Sequence, residues 1–270
     1  MAWLSFSFQL LLVGSLCIVT GCQSTASRVD KIAAEHGFSQ HEVIGKGFRH
    51  RVYANSHRDS NRPLHIYLEG DGSPWWNRNT VAVDPTPRIP LMLKLMAQDS
   101  SPAVYLGRPC YHGFSSDDGC SPLLWTHRRY SPEVINTIQS ALNKVLKSRK
   151  HQRVVLIGYS GGGAVAMLLA GIQPDVEAVV TLAGLMDIEA WAKHHQYSPL
   201  RGSLNPLDQV VLDSSVLQKH YIGENDKVVP AHVMIPAHVQ LKTGGVTLLP
   251  GIDHACCWES VWPGLLKQLP

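Results

Sequence analysis

The chain has 270 residues, 44% of them hydrophobic and 17% charged, with 24 Lys and Arg against 21 Asp and Glu and a formal net charge of +3. That length and apolar content suffice for one large domain with a substantial core. The cations are scattered rather than gathered into a stripe, which argues against nucleic acid as a partner.

Met1 to Gly21 carries no charged side chain and contains an apolar run, Phe8 to Leu16, too short for a comfortable membrane span, so residues 1–21 read as an export signal. The run ends in Val19-Thr20-Gly21-Cys22, which resembles the lipobox of bacterial lipoproteins, where small residues precede a cysteine that becomes the acylated first residue. The resemblance implies a lipid on Cys22. With Gln23 rather than Asp behind it, it also implies retention at the outer membrane, facing the periplasm. Residues 22–45 are polar and weakly periodic, as expected of a lipid-anchored tether with a short helix around Val29 to Glu35, and residues 46–270 form a single folded domain.

Within that domain Phe48 to Tyr53 alternates as a strand, and Leu64 to Glu69 reads as a central strand broken by Gly70-Asp71-Gly72. A helix is expected over Ile89 to Gln98 and a short strand at Ala103 to Leu106. Ser131-Pro132-Glu133 then supplies a cap, a first-turn proline and an acidic residue for a helix whose apolar positions, Val134, Ile135, Ile138, Leu142, Val145 and Leu146, keep a 3.6-residue period. Val154 to Ile157, Val176 to Leu182, His220 to Gly223 and Val246 to Leu249 are further strands, and His254 to Leu269 carries the closing helix. The long polar excursion at about 186–212 has the length of a lid. Alternating strands and helices give an α/β fold, a mostly parallel central sheet with helices on both faces.

Six cysteines are present, of which Cys17 and Cys22 fall in the leader region. Export implies an oxidising compartment, and a disulfide between Cys110 and Cys120, which bracket a Gly- and Asp-rich loop, is the preferred one of three pairings. Cys256 and Cys257 read as a vicinal pair or as buried thiols. Their spacing matches no zinc site, and neither metal nor organic cofactor is implied.

The chemistry centres on Gly158-Tyr159-Ser160-Gly161-Gly162, a G-x-S-x-G sequence between an apolar strand and a helix of small and apolar residues, Ala164 to Leu169. Its glycines permit a strained turn that lifts the Ser160 hydroxyl above the sheet edge, with the Gly161 amide pointing where an oxyanion would form. A serine hydroxyl needs a base to take its proton and an acid to hold that base in one tautomer.

From about Leu64 to Leu269 the sequence resembles the α/β-hydrolase family, which orders its catalytic residues nucleophile, acid, histidine. Gly223-Glu224-Asn225-Asp226 and the following Val-Val-Pro look like the family's acid loop, and Pro250-Gly251-Ile252-Asp253-His254 like its histidine loop. The resemblance implies Asp226 as orienting acid and His254 as general base. Asp226 would alternatively cap the helix beginning near Val229, and Asp187, one strand earlier, is an alternative acid, with Glu224 third. Among fourteen histidines His254 is singled out over His220 and His232 by its place after the last strand.

The family's second oxyanion amide comes from the loop after an earlier strand. Here Glu69-Gly70-Asp71-Gly72 stands there, with Glu69 where a histidine is typical and the Asp71 amide as donor. A carboxylate beside a developing oxyanion opposes it unless paired, and Arg108 is the expected partner of Asp71 or Glu69. Trp75, Trp76 and Trp125 would line an apolar entrance.

The expected function is a lipid-anchored envelope serine hydrolase acting on a small-molecule or lipid-like acyl substrate, an ester, thioester or amide. The alternatives are a peptidase or acyltransferase, or a non-catalytic binding or scaffold lipoprotein on the same fold.

Overall fold

A computed structural model describes residues 24–59 and 61–270; the expected export signal at 1–21 and Cys22 lie outside the described residues. In chain order the elements are α1 (Thr25–Glu35), β1 (Ser39–Gly45), β2 (Phe48–Ala54), β3 (Leu64–Leu68), β4 (Trp75–Asn77), β5 (Thr80–Val81), α2 (Leu91–Met96), β6 (Ala103–Leu106), α3 (Pro132–Arg149), β7 (Val154–Tyr159), α4 (Gly161–Ala170), β8 (Val176–Leu182), α5 (Ile188–His194), α6 (Pro206–Gln209), β9 (Leu217–Gly223), α7 (Ala231–Leu241), β10 (Val246–Leu249) and α8 (Trp258–Leu266).

Eight strands form one sheet in the order β1-β2-β6-β3-β7-β8-β9-β10. The six from β6 to β10 run parallel; β2 lies antiparallel to β6, and β1 antiparallel to β2. The chain leaves β3 toward β6 on one side and returns to β7 on the other. That reversal opens a crevice at the carboxyl ends of β3 and β7, where parallel sheets characteristically hold their ligands. The register there pairs Leu68 with Gly158, so the loops after the two strands emerge side by side.

Every residue of β3, and Val154 to Gly158 of β7, is buried, which accounts for their unbroken apolar sequences. Helix α3 forms as its sequence dictates. Ser131 Oγ accepts from the Val134 amide, Pro132 occupies the first turn, and all six periodic apolar residues are buried. It packs against β1, β2 and α4, while α4 lies along β7 and β8.

Three strands were hidden in the sequence. Residues 39–45, expected within a tether, form β1, a largely exposed edge strand. Its polar side chains face water on both sides, so it lacks the apolar alternation that marks a half-buried strand. The Trp75–Val81 stretch, to which the sequence assigned no element, makes the β4–β5 hairpin. The excursion at 186–212 carries α5 and α6. Among the described residues no helix is long and apolar enough to cross a membrane.

Candidate active site

Ser160 sits between β7 and α4 at φ 53° and ψ −122°, a left-handed backbone unusual for a residue with a side chain. The turn holds because its neighbours lack Cβ atoms: one on Gly158 would strike the Gly162 carbonyl, and one on Gly162 the carbonyls of Leu68 and Glu69. The backbone is fixed further by Ser160 N donating to the Leu182 carbonyl at 2.8 Å and by the Ser160 carbonyl accepting from Gly163 at 2.9 Å.

Asp226 follows β9 and His254 follows β10. Nδ1 of His254 lies 2.8 Å from Oδ2 of Asp226, whose side chain is fully buried. The other oxygen, Oδ1, accepts from the amides of Val228 and Val229, both at 2.8 Å. The two sequence readings of Asp226, turn cap and imidazole partner, therefore hold together, one on each oxygen. Those amide bonds leave Oδ2 aimed at the ring. His254 and Ser160 line the same cleft, with no direct hydrogen bond between their side chains. In ligand-free sites such bonds are commonly long and tighten on substrate binding.

Tyr159 ties the two loops to each other. Its hydroxyl donates to the His254 carbonyl at 2.7 Å, and its ring centroid is 5.1 Å from that of the imidazole. Trp258 Nε1 donates to the same carbonyl at 3.0 Å. The alternative acid Asp187 is elsewhere: its Oδ1 caps α5 through the amides of Glu189 and Ala190 and accepts from Asn205. His220 is buried within β9 against Thr181 and His238 rather than in the cleft, and burial lowers its basicity to a pKa of about 3.

The loop after β3 completes the crevice. Neither the Asp71 amide nor that of Gly161 is engaged in a turn or loop hydrogen bond among the described residues, so both are free to donate. The Asp71 side chain is clamped: Arg129 Nη1 donates to Oδ2 at 2.7 Å, and the Tyr130 hydroxyl donates at 2.7 Å. Arg108 Nη2 stands 3.0 Å from Oδ1 as an ion pair without hydrogen-bond alignment. The expected Arg108 pairing falls on Asp71, with Arg129 and Tyr130 as partners that the sequence did not single out.

Burial alone would raise the Asp71 carboxyl, but Arg129 and Arg108 overcome it and hold the group below the usual carboxylate range. Glu69 is treated differently. Burial pushes it up to about 7 against the amides of Met92 and Gly70, which donate at 3.0 and 3.2 Å. Near neutrality one carboxylate beside the crevice is matched by two guanidiniums and the other is only partly ionised. The electrostatic objection to an acidic oxyanion loop is thereby weakened.

The cleft has a volume of about 1140 Å³ and is bounded by the loop after β3, the β4–β5 hairpin and, from the excursion, Trp191 and His195 to Ser198. Trp75 lines it; Trp125 is buried, with Nε1 donating to the Ala82 carbonyl. Cys110 and Cys120 are joined as a disulfide, with Cα atoms 5.6 Å apart. Cys256 and Cys257 are an exposed adjacent pair at the start of α8. Among the described residues no group of three or more His, Cys, Asp or Glu is placed to hold a metal ion.

A parallel sheet whose switch-point crevice holds a strained serine on a strand-to-helix turn defines an α/β hydrolase. Residues 103–248 match the model of the dienelactone hydrolase family, over half of the chain, and the chain belongs to that family as an esterase-like hydrolase. No curated protein matches it. Among solved structures it is similar in fold to puromycin hydrolase at 14% identity and TM-score 0.59, covering 85% of this chain and 38% of that one. The Pyrococcus furiosus esterase Pf2001 aligns at 13% identity and TM-score 0.58, covering 87% and 95%. The acylaminoacyl peptidase of Pyrococcus horikoshii aligns at 14% identity and TM-score 0.59, covering 86% and 40%. The chain thus spans about two-fifths of the length of the first and third of these.

Proposed function

We propose that the protein is a serine hydrolase of the bacterial envelope that cleaves an ester, thioester or amide through an acyl-enzyme. Ser160 Oγ attacks the acyl carbon as the imidazole of His254 takes its proton, and Asp226 holds the ring in the tautomer with hydrogen on Nδ1. The tetrahedral oxyanion is received by the amides of Asp71 and Gly161. Collapse expels the leaving alcohol, thiol or amine with the proton from the imidazolium. Water, activated by the same imidazole, then attacks the acyl-serine, releasing the acid and regenerating the hydroxyl.

The observation that carries this reading is the 2.8 Å pairing of His254 Nδ1 with Asp226 Oδ2 in the cleft that also holds the strained Ser160. A binding module would have no use for a serine kept at a costly backbone angle, which places catalysis ahead of a scaffold role. The dienelactone hydrolase family match, a lactone being a cyclic ester, favours an ester over a peptide or acyl transfer.

A fluorophosphonate probe tests the reading. It should add one adduct, located on Ser160 by peptide mass, and His254→Ala should slow labelling at least a hundredfold. Absence of any adduct on folded protein would remove the nucleophile. Export by residues 1–21 and anchoring through a lipid on Cys22, just ahead of α1, belong to the same proposal. Cys22→Ser should release the protein from the membrane fraction, and a diacylglyceryl mass should be found on Cys22.

A further inference from the structure

We propose that the mouth of the cleft docks on an anionic phospholipid surface, from which the enzyme draws a lipid-like acyl substrate; this rests on the hydrolase reading of Ser160. The β4–β5 hairpin and the loop that follows it project beside the cleft and expose apolar side chains that a soluble surface seldom clusters: Trp76 is 71% exposed, Val83 87% and Ile89 70%. Trp75 and Ile89 also line the cleft, so the patch is continuous with its entrance. Across the opening, Tyr197 and Val228 are exposed as well.

Two cations are set into this patch. Arg78 and Arg88 line the mouth, and among the described residues no carboxylate lies within ion-pair distance of either. The Arg88 guanidinium sits 5.1 Å over the Trp76 ring. The acidic groups nearby are engaged elsewhere. Asp71 is held by Arg129 and Arg108, Glu69 by the amides of Met92 and Gly70, and Asp84, on the same loop, accepts from the Thr86 amide and hydroxyl. Exposed indoles and aliphatic side chains interleaved with unpaired guanidiniums match the boundary of a bilayer, where rings sit at headgroup depth and cations meet phosphate. Charge therefore selects an anionic lipid surface. A protein partner seated on the same patch would close the cleft over Ser160, whereas a bilayer face leaves the cleft open to a molecule drawn from it.

The test compares turnover of a long-chain acyl ester carried in phosphatidylcholine vesicles, with and without phosphatidylglycerol, against turnover of a short soluble ester by the full-length chain. The expected result is an approximately tenfold preference for the anionic vesicles. The variant carrying both Trp76→Ser and Val83→Ser should lose about tenfold on vesicle-borne ester and nothing on the soluble one. Arg78→Ala with Arg88→Ala should abolish the preference for anionic vesicles. Brominated lipid should quench the tryptophan emission, and Trp76→Phe should lessen that quenching even though the anchor region is unchanged.

Equal rates on both vesicle types, an unaffected Trp76/Val83 variant, or quenching indifferent to Trp76 would overturn the proposal. So would a dimer that dissociates in the Trp76→Ser variant, which would assign the patch to a second copy. A parent protein inert on the soluble ester but still quenched through Trp76 would instead count against the Ser160 reading and leave the docking surface standing.

Discussion

The two loops that meet at the crevice are built by opposite means. The turn after β7 is shaped chiefly by its own glycines: Gly158 leaves room for the Gly162 carbonyl, Gly162 lets the Leu68 and Glu69 carbonyls approach, and Ser160 takes up the strained angle between them. The loop after β3 is made by others. Arg108 comes from the end of β6, Arg129 and Tyr130 from the approach to α3, and the Met92 amide from α2; without them Asp71 and Glu69 would be uncompensated buried acids. The difference teaches that the attacking group is a local device, whereas the site for the developing negative charge depends on the assembled domain. Damage to the first should remove chemistry and spare the fold. Damage to the second should cost both.

Ser160→Ala should break the comparison most sharply on the first side, lowering kcat/KM by about 10⁴-fold or more with an unchanged denaturation midpoint. Asp226→Asn follows, with a loss of about 10³- to 10⁴-fold in kcat as the imidazole loses its enforced tautomer. Asp187→Ala is its control: removing the α5 cap should cost about 1 kcal/mol of stability and leave kcat within about twofold. If Asp187→Ala rather than Asp226→Asn silenced the enzyme, the acid would have been wrongly placed. On the second side Asp71→Ala strands two buried guanidiniums, so it should cost about 3–5 kcal/mol of stability in urea titrations and, in protein that still folds, about 10²-fold in kcat. A catalytic loss from Asp71→Ala without a stability loss would mean that the loop is not held by its ion pairs.

Tyr159 bridges the two regions, since it belongs to the serine turn and bonds the histidine loop. Tyr159→Phe keeps the ring beside the imidazole but frees the His254 carbonyl from one of its two donors. A drop of about tenfold in kcat with little change in KM is expected, because the hydroxyl is engaged by the His254 carbonyl and acts by placing His254. A rise in KM alone would show a binding role instead.

What could be read from the sequence follows the same division. G-x-S-x-G announces itself because its requirements are met by adjacent residues, and the interior strands β3, β7 and β8 do so through runs of buried Val, Ile and Leu. The loops holding Asp226 and His254 were legible through their resemblance to the α/β-hydrolase family, and the Asp226 carboxylate makes both kinds of contact the sequence offered for it, to turn amides and to an imidazole. Arg129 and Tyr130 carry no local mark, because they bond Asp71 across 58 and 59 residues of chain. The edge strand β1 and the β4–β5 hairpin escaped for a different reason: with only Val43 and Val81 turned to the core, neither shows the period by which strands are recognised.

The smallest expected effect separates the two acids of the β3 loop by pH. Glu69 holds its proton to about pH 7 in the fold but only to near 4.5 in the unfolded chain, so the fold binds the extra proton between those values. Its contribution to stability is complete below the lower value and is lost as pH rises through the upper one, a total on the order of 3 kcal/mol. Asp71 has the opposite sign: its folded-state pKa is depressed, so its contribution is present above the ordinary aspartate range and disappears only in acid. Glu69→Gln carries no titrating proton, and although its amide cannot accept from both Met92 and Gly70, that cost is independent of pH. The stability difference between the parent and Glu69→Gln, measured in urea, should therefore shift against the parent between about pH 4 and pH 8 and stay level outside that window. A level difference throughout would mean that Glu69 is ionised across the range, that Arg108 serves it as well as Asp71, and that the oxyanion loop carries a full second negative charge for Ser160 to work against.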